Sequence, residues 1–134
     1  MRSRILVVDD NPTNLKLVCD ILEFDGYGLE QALDAEEALI KTISTLPDLV
    51  LMDIGLPGMD GLELTRLLKA DERTKHIPVV ALTAFAMKGD DQKAFDAGCN
   101  GYITKPIDTR QLLEQVASFV KAAPVKEAGY GGPR

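Results

Sequence analysis

The chain has 134 residues, of which 46% are hydrophobic and 27% charged, and its formal net charge is −6 at pH 7. This length predicts one domain with a sizeable core. No apolar run approaches the roughly 18 residues of a membrane helix, so we expect no membrane span. The negative net charge argues against binding to a nucleic acid backbone, so we expect no nucleic acid partner.

The two cysteines, Cys19 and Cys99, form neither a CxxC pair nor a zinc-binding spacing. Cys19 continues the apolar face of a predicted helix, so both are expected to be buried free thiols. A strand-like sequence follows Met1-Arg2-Ser3 directly, so we expect no signal peptide. Buried free thiols predict a protein of the reducing cytoplasm.

Hydrophobic periodicity and turn signals predict five strands that alternate with five helices. The predicted strands are Arg4–Val8, Gly28–Gln31, Asp48–Met52, Ile77–Leu82 and Gly101–Thr104. The predicted helices are Pro12–Phe24 after an Asn11 cap, three that begin near Asp34, Asp60 and Asp108, and Phe85–Ala97. This alternation is typical of an α/β fold with a parallel sheet and helices on both faces.

Of these helices, the third is expected to bury Leu64, Leu67 and Leu68, and the fourth to bury Ala94 and Phe95.

The folded domain is expected to cover residues 1–121. Residues 122–134 contain three Gly and two Pro without periodicity, which predicts a flexible tail.

Polar residues stand directly after four of the predicted strands. Asp9-Asp10 follows the first strand, Asp53 the third, Thr83 the fourth and Lys105 the fifth. Because parallel strands bring their carboxyl ends to one edge of a doubly wound sheet, we expect these side chains to converge there.

Three carboxylates a few Å apart repel each other by about 4 kcal/mol per pair at an effective dielectric near 20. Oxygen ligands without His or Cys suit Mg²⁺, with Mn²⁺ as an alternative ion. Three aspartates, Lys105 and a divalent ion sum to a charge of about zero, so the site can accept a phosphoryl group. Asp53 is the expected nucleophile of an aspartyl phosphate, and Thr83 can donate its hydroxyl to a phosphoryl oxygen.

These motifs together resemble the receiver domain of two-component response regulators over about residues 4–121. The matching residues are Asp9-Asp10, Met52-Asp53, Leu56-Pro57-Gly58-Met59-Asp60-Gly61, Thr83-Ala84 and Lys105-Pro106. The resemblance implies a flavodoxin-like, doubly wound five-stranded parallel sheet in the order 2-1-3-4-5.

The resemblance also implies a role for each site residue. Asp53 would be the phospho-acceptor, Asp10 a direct Mg²⁺ ligand, Asp9 a ligand acting mainly through water, and the backbone carbonyl of Gly55 the third protein ligand. Lys105 would pair with the phosphoryl group.

Two further features follow from the same resemblance. The Lys105-Pro106 peptide bond would be cis. Thr83 would move toward the phosphoryl group while the Tyr102 ring turns inward, which would form the switch.

The implied partners are a sensor histidine kinase or a histidine phosphotransfer protein as phosphoryl donor, and a downstream protein as target. The implied binding surface comprises the helix after Thr83, the strand of Tyr102 and the last helix. Only 13 residues follow the domain, so we expect a switch without an output domain that acts by protein binding or phosphorelay, as a monomer or a phosphorylation-dependent dimer. It would be a phospho-acceptor, not an enzyme with a separate substrate.

Three alternatives remain. The run Phe85–Asp90 also resembles receivers attached to hybrid histidine kinases, so the chain could be a fragment of such a kinase. A haloacid dehalogenase-type phosphatase needs a second Asp two residues after its nucleophile, where this chain has Gly55. A flavin-binding module needs a hydroxyl-rich phosphate loop after the first strand, where this chain has the acidic Asp9-Asp10.

Overall fold

The computed structural model describes residues 3–53, 61–83, 90–104 and 107–122, in which five strands alternate with five helices. Their order along the chain is β1 (Arg4–Val8), α1 (Pro12–Phe24), β2 (Gly28–Ala32), α2 (Ala35–Thr45), β3 (Leu49–Asp53), α3 (Gly61–Ala70), β4 (Val79–Thr83), α4 (Asp90–Ala97), β5 (Gly101–Thr104) and α5 (Thr109–Ala122). Residues 85–89, with which the fourth helix was predicted to begin, and the predicted cap Asp60 lie outside the described residues. The predicted boundary at residue 121 stays a prediction.

All five strands are parallel, and their order across the sheet is β2-β1-β3-β4-β5. This confirms the predicted doubly wound sheet. The central strand β3 is buried on both faces, since its residues Leu49 to Met52 are each 0% exposed. A continuous apolar run is the sequence that such a strand requires, because helices cover both of its faces.

The core has two layers, one on each side of the sheet. On one side, Leu6, Val50 and Met52 pack with residues of α2, α3 and α4. On the other side, Val7 and Leu51 pack with residues of α1 and α5. Alternate residues of the same strands therefore supply both layers.

Three predicted capping residues bind the amides of the helices that they precede, which fixes where those helices begin. The bonds run from Thr13 N and Asn14 N to Asn11 Oδ1 at 2.9 and 3.2 Å, from Glu37 N to Asp34 Oδ1 at 2.8 Å, and from Gln111 N to Asp108 Oδ1 at 2.9 Å.

The predicted burial of two residues is wrong. Leu67 is 44% exposed and Phe95 is 46% exposed. In α3 the buried stripe turns toward Thr65 instead, whose hydroxyl donates to the Gly61 carbonyl at 2.8 Å and is thereby satisfied inside the core. In α4 the next buried residue after Ala94 is Ala97, one turn later, and Phe95 faces outward.

Both cysteines are free and buried, as predicted. Cys19 packs in the layer of α1 and α5, and Cys99 in the opposite layer, so the sheet separates them. Burial raises the pKa of both thiols, which favours their protonated form. Among the described helices, none combines the length and the hydropathy needed to cross a bilayer.

A polar network around Lys69 fixes the amino-terminal ends of β4 and β5 to α3. The Lys69 amine donates to the carbonyls of Ile77 and Lys75 at 2.8 and 3.3 Å and to Asn100 Oδ1 at 2.9 Å. Asn100 Oδ1 also accepts from the backbone amide of Val79 at 2.9 Å. Burial lowers the pKa of Lys69, because it removes water from the charged amine. The three acceptors replace part of that lost hydration.

Gly101 makes room for the aromatic ring of Phe119 on α5. A Cβ at Gly101 would lie 2.5 and 2.7 Å from ring carbons of Phe119. We expect Gly101→Ala to lower the free energy of unfolding by about 1–3 kcal/mol through overpacking. Gly28→Ala is the matched strand control, because its Cβ would meet neighbours at 3.7 and 3.8 Å. Urea denaturation measures both, and equal stabilities would contradict this packing.

Candidate functional site

The turn between β1 and α1 holds the buried residue Asp9 by two hydrogen bonds, one through its backbone N–H and one through its carboxylate. Asp9 is 1% exposed, and its amide donates to the carbonyl of Ala32 at 3.1 Å, which extends the pairing of β1 with β2. Its Oδ1 accepts the backbone N–H of Asn11 at 2.9 Å. Because a buried charged group requires hydrogen-bond partners, this turn is built to keep a carboxylate inside the protein.

Asp53 is the last residue of β3, the middle strand of the sheet, and is partly buried. Its carboxylate meets those of Asp9 and Asp10 at the carboxyl edge, with one oxygen from each of the three within 4.8 Å of the others. The structure thus brings Asp53 together with the neighbouring residues Asp9 and Asp10, from which it is far apart in the sequence.

The burial of the three acids is graded. Asp9 is buried, Asp53 is intermediate and Asp10 is exposed, so the cluster opens to solvent on the Asp10 side. Three hard oxygen donors at such separations fit a divalent cation of the Mg²⁺ type, whose charge would offset the repulsion among them. An exposed side also leaves room for the waters that Mg²⁺ usually keeps.

The backbone of Thr83 ends β4 at the same edge, in register with Thr104 of β5 and one residue beyond Leu82, the partner of Asp53. Its hydroxyl lies outside the described part of the structure, so its predicted contact with a phosphoryl oxygen stays a prediction. The same holds for the carbonyl of Gly55, the amine of Lys105 and the cis bond before Pro106.

Tyr102 is half-buried in β5, opposite Ala81 of β4, and packs against the layer formed with α2, α3 and α4. This placement agrees with a strand aromatic that has one apolar and one solvent-facing side.

The sequence interpretation identified Asn11 only as a helix cap and missed its bond to Asp9. The signal was present, since an aspartate that accepts the amide two residues later forms an Asx turn, which is common before helices. Because the same residue caps α1 with its side chain, the acid cluster and the first turn of α1 are joined through Asn11.

Comparison with known proteins places this geometry among related chains. The family model for the response regulator receiver domain matches residues 5–117. The polar-differentiation response regulator DivK of Brucella ovis is 44% identical over 120 residues, which cover 90% of this chain and 98% of that protein.

Two solved structures are also similar, each with a TM-score of 0.85 and 32% identity. One is the signal receiver domain of a signal transduction histidine kinase from Syntrophus aciditrophicus, with 94% of this chain and 96% of that chain covered. The other is the receiver domain of a sensor histidine kinase from Pseudomonas aeruginosa, with 91% and 100% covered, which was solved with a magnesium ion coordinated in its active-site cleft.

Proposed function

Because the chain belongs to the response regulator receiver domain family, we propose that it is a signalling switch that accepts a phosphoryl group on Asp53. The observation that carries this proposal is the meeting of Asp9, Asp10 and Asp53 at the carboxyl edge of the parallel sheet. Of the three, Asp53 is the residue that ends the central strand β3, which lies between β1 and β4 in the sheet.

In the proposed reaction, a carboxylate oxygen of Asp53 attacks the phosphorus of a phosphohistidine. The new O–P bond forms as the P–N bond breaks, and the imidazole leaves with that electron pair and takes up a proton from solvent. The product is an aspartyl phosphate, a known covalent intermediate of carboxylate nucleophiles. The protein therefore acts as phospho-acceptor and promotes only its own phosphorylation and dephosphorylation.

The acid cluster is suited to hold Mg²⁺, or Mn²⁺ in its place. We propose that Asp10 and Asp53 ligate the ion directly, that Asp9 acts mainly through water, and that the Gly55 carbonyl is a further ligand. When bound, such an ion neutralises charge on phosphoryl oxygens during transfer. One oxygen of each of these three aspartates lies within 4.8 Å of the others, which supports a shared ion among them.

The remaining site residues complete the switch. We propose that Thr83 donates its hydroxyl, and Lys105 its amine, to phosphoryl oxygens. Movement of Thr83 would accompany an inward turn of the Tyr102 ring, which lies opposite Ala81 of β4. Only a difference of a few kcal/mol between the two packings is needed for such a population shift.

The proposed phosphoryl donor is a sensor histidine kinase or a histidine phosphotransfer protein, and the proposed output is binding to a downstream protein or phosphorelay. A stand-alone switch in residues 1–121 is favoured because this chain covers 98% of the DivK relative. The similarity to receivers of histidine kinases keeps the hybrid-kinase fragment as the second candidate. Two buried free thiols support placement in the reducing cytoplasm.

Incubation of the whole chain with Mg²⁺ and a small acyl phosphate, followed by intact mass, tests this function. We expect a gain of one phosphoryl group that disappears when a chelator removes the ion. Labelling that does not depend on a divalent ion would contradict the role of the acid cluster. Steady turnover of a phosphomonoester would instead favour the phosphatase.

A further inference from the structure

The turn of residues 9–11 carries two hydrogen-bond systems that share one residue. The backbone N–H of Asn11 donates to Asp9 Oδ1 at 2.9 Å. The side-chain Oδ1 of the same Asn11 accepts from the amides of Thr13 and Asn14 at 2.9 and 3.2 Å. One faces back to the acid cluster and the other faces forward into α1.

We infer that Asn11 is a positioning residue for the ion site, which fixes the orientation of the Asp9 carboxylate through its own attachment to α1. This inference rests on the proposed function, since it concerns the affinity of the acid cluster for Mg²⁺. Asn11 is itself exposed and is not proposed to touch the ion.

The geometry explains how a capping side chain can act on a neighbouring carboxylate. Asn11 has extended backbone angles, φ −98° and ψ 109°, and Pro12 fixes the next φ near its helical value. Two bonds from the Asn11 side chain to helix amides hold this backbone in place. The N–H of Asn11 therefore stays directed at Asp9.

The bond to Asp9 also suits a metal-binding carboxylate. It engages one oxygen, and a carboxylate has about four lone-pair sites, so accepting this bond leaves capacity for an ion or its water. Outer partners of this kind orient ligands, and their loss typically lowers metal affinity about 10- to 100-fold. Because binding and capping are linked, bound Mg²⁺ should in turn stabilise the first turn of α1.

The test compares Mg²⁺ affinity, measured by titration calorimetry on the whole chain, in four proteins. We expect Asn11→Ala to bind Mg²⁺ about tenfold more weakly than the wild type. Asn11→Ser, which keeps a capping oxygen without adding charge, should restore most of the affinity. Asp34→Ala is the matched control, because Asp34 caps α2 in the same way and has no place in the acid cluster.

Hydrogen exchange gives a second readout that a merely structural cap would not produce. In the wild type, Mg²⁺ should slow exchange of the amides of Thr13 and Asn14, and this effect should be lost in Asn11→Ala. If that variant does not fold, Asn11→Gly takes its place with the same expected losses. Glycine at a cap costs the helix little stability but lacks the side-chain acceptor.

The outcomes separate the two claims. Equal Mg²⁺ affinity in wild type and Asn11→Ala, or an equal loss in Asp34→Ala, would overturn the positioning role and leave the proposed function intact. A wild-type chain that binds no Mg²⁺ would overturn the ion site of the proposed function itself.

Discussion

Asp53→Asn is expected to lose nearly all uptake of a phosphoryl group from a small acyl phosphate in the presence of Mg²⁺. The amide matches the carboxylate in size but is a poor nucleophile, so the labelling rate should fall by about 100-fold or more. Asp53 is partly buried beside two other acids, and removing one charge should leave the fold intact. Intact mass as a function of time measures the effect.

Asp96→Asn is the control for this experiment. Asp96 is exposed on α4 and lies outside the acid cluster, so its replacement should not change the labelling rate. Circular dichroism on all three proteins checks that they are folded. Labelling of Asp53→Asn at the wild-type rate would show that another residue is the acceptor.

Asp10→Asn is expected to be more stable than the wild type without Mg²⁺ and less stable than the wild type with it. Without divalent ions the variant should be more stable, because oxygens within 4.8 Å no longer repel. For an exposed carboxylate this repulsion is about 1 kcal/mol, or a rise of about 3–5 °C in the unfolding midpoint.

With Mg²⁺ at 100 times its dissociation constant, the wild type should gain about 2.7 kcal/mol. A variant that lacks a direct ligand and binds about 100-fold more weakly gains only about 0.4 kcal/mol. The wild type should then unfold at the higher temperature. Thermal unfolding with and without Mg²⁺ measures the reversal.

Asp25→Asn serves as the control for charge removal near the same helix. Asp25 is an exposed residue at the far end of α1, where it forms the C-cap. It should respond to Mg²⁺ as the wild type does. If Mg²⁺ stabilised Asp10→Asn as much as the wild type, Asp10 would not be a ligand.

The fold could be predicted because its signals are local. The apolar run of β3 fits a strand buried on both faces, and the caps Asn11, Asp34 and Asp108 mark where helices begin. The sheet order came from the resemblance to a family, since alternation alone predicts parallel strands but not their neighbours.

The errors lie where tertiary packing decides. Periodicity could not tell that α3 turns Thr65 inward and Leu67 outward, because either choice gives an amphipathic helix. The Lys69 network depends on residues 31 positions apart coming together, with Gly98 at φ +112° where a Cβ would lie 2.8 Å from the Lys69 stem. No local pattern encodes such an approach.

The acid cluster could be predicted for a topological reason. Parallel strands place their carboxyl ends on one edge, so acids after β1 and β3, adjacent strands in the sheet, must be neighbours. The bond from Asn11 to Asp9 was open to prediction as an Asx turn. The contributions of Gly55, Thr83 and Lys105 stay predictions, because the atoms concerned lie outside the described residues.

Chemical trapping of the modified residue tests the central claim most directly. The chain is labelled with an acyl phosphate and Mg²⁺, reduced with borohydride, digested and sequenced by tandem mass spectrometry. Reduction of an aspartyl phosphate releases the phosphate and converts that residue to homoserine. We predict homoserine at position 53 and at no other aspartate. Homoserine at Asp9 or Asp10, or a phosphoryl group that survives reduction on another residue, would contradict the account.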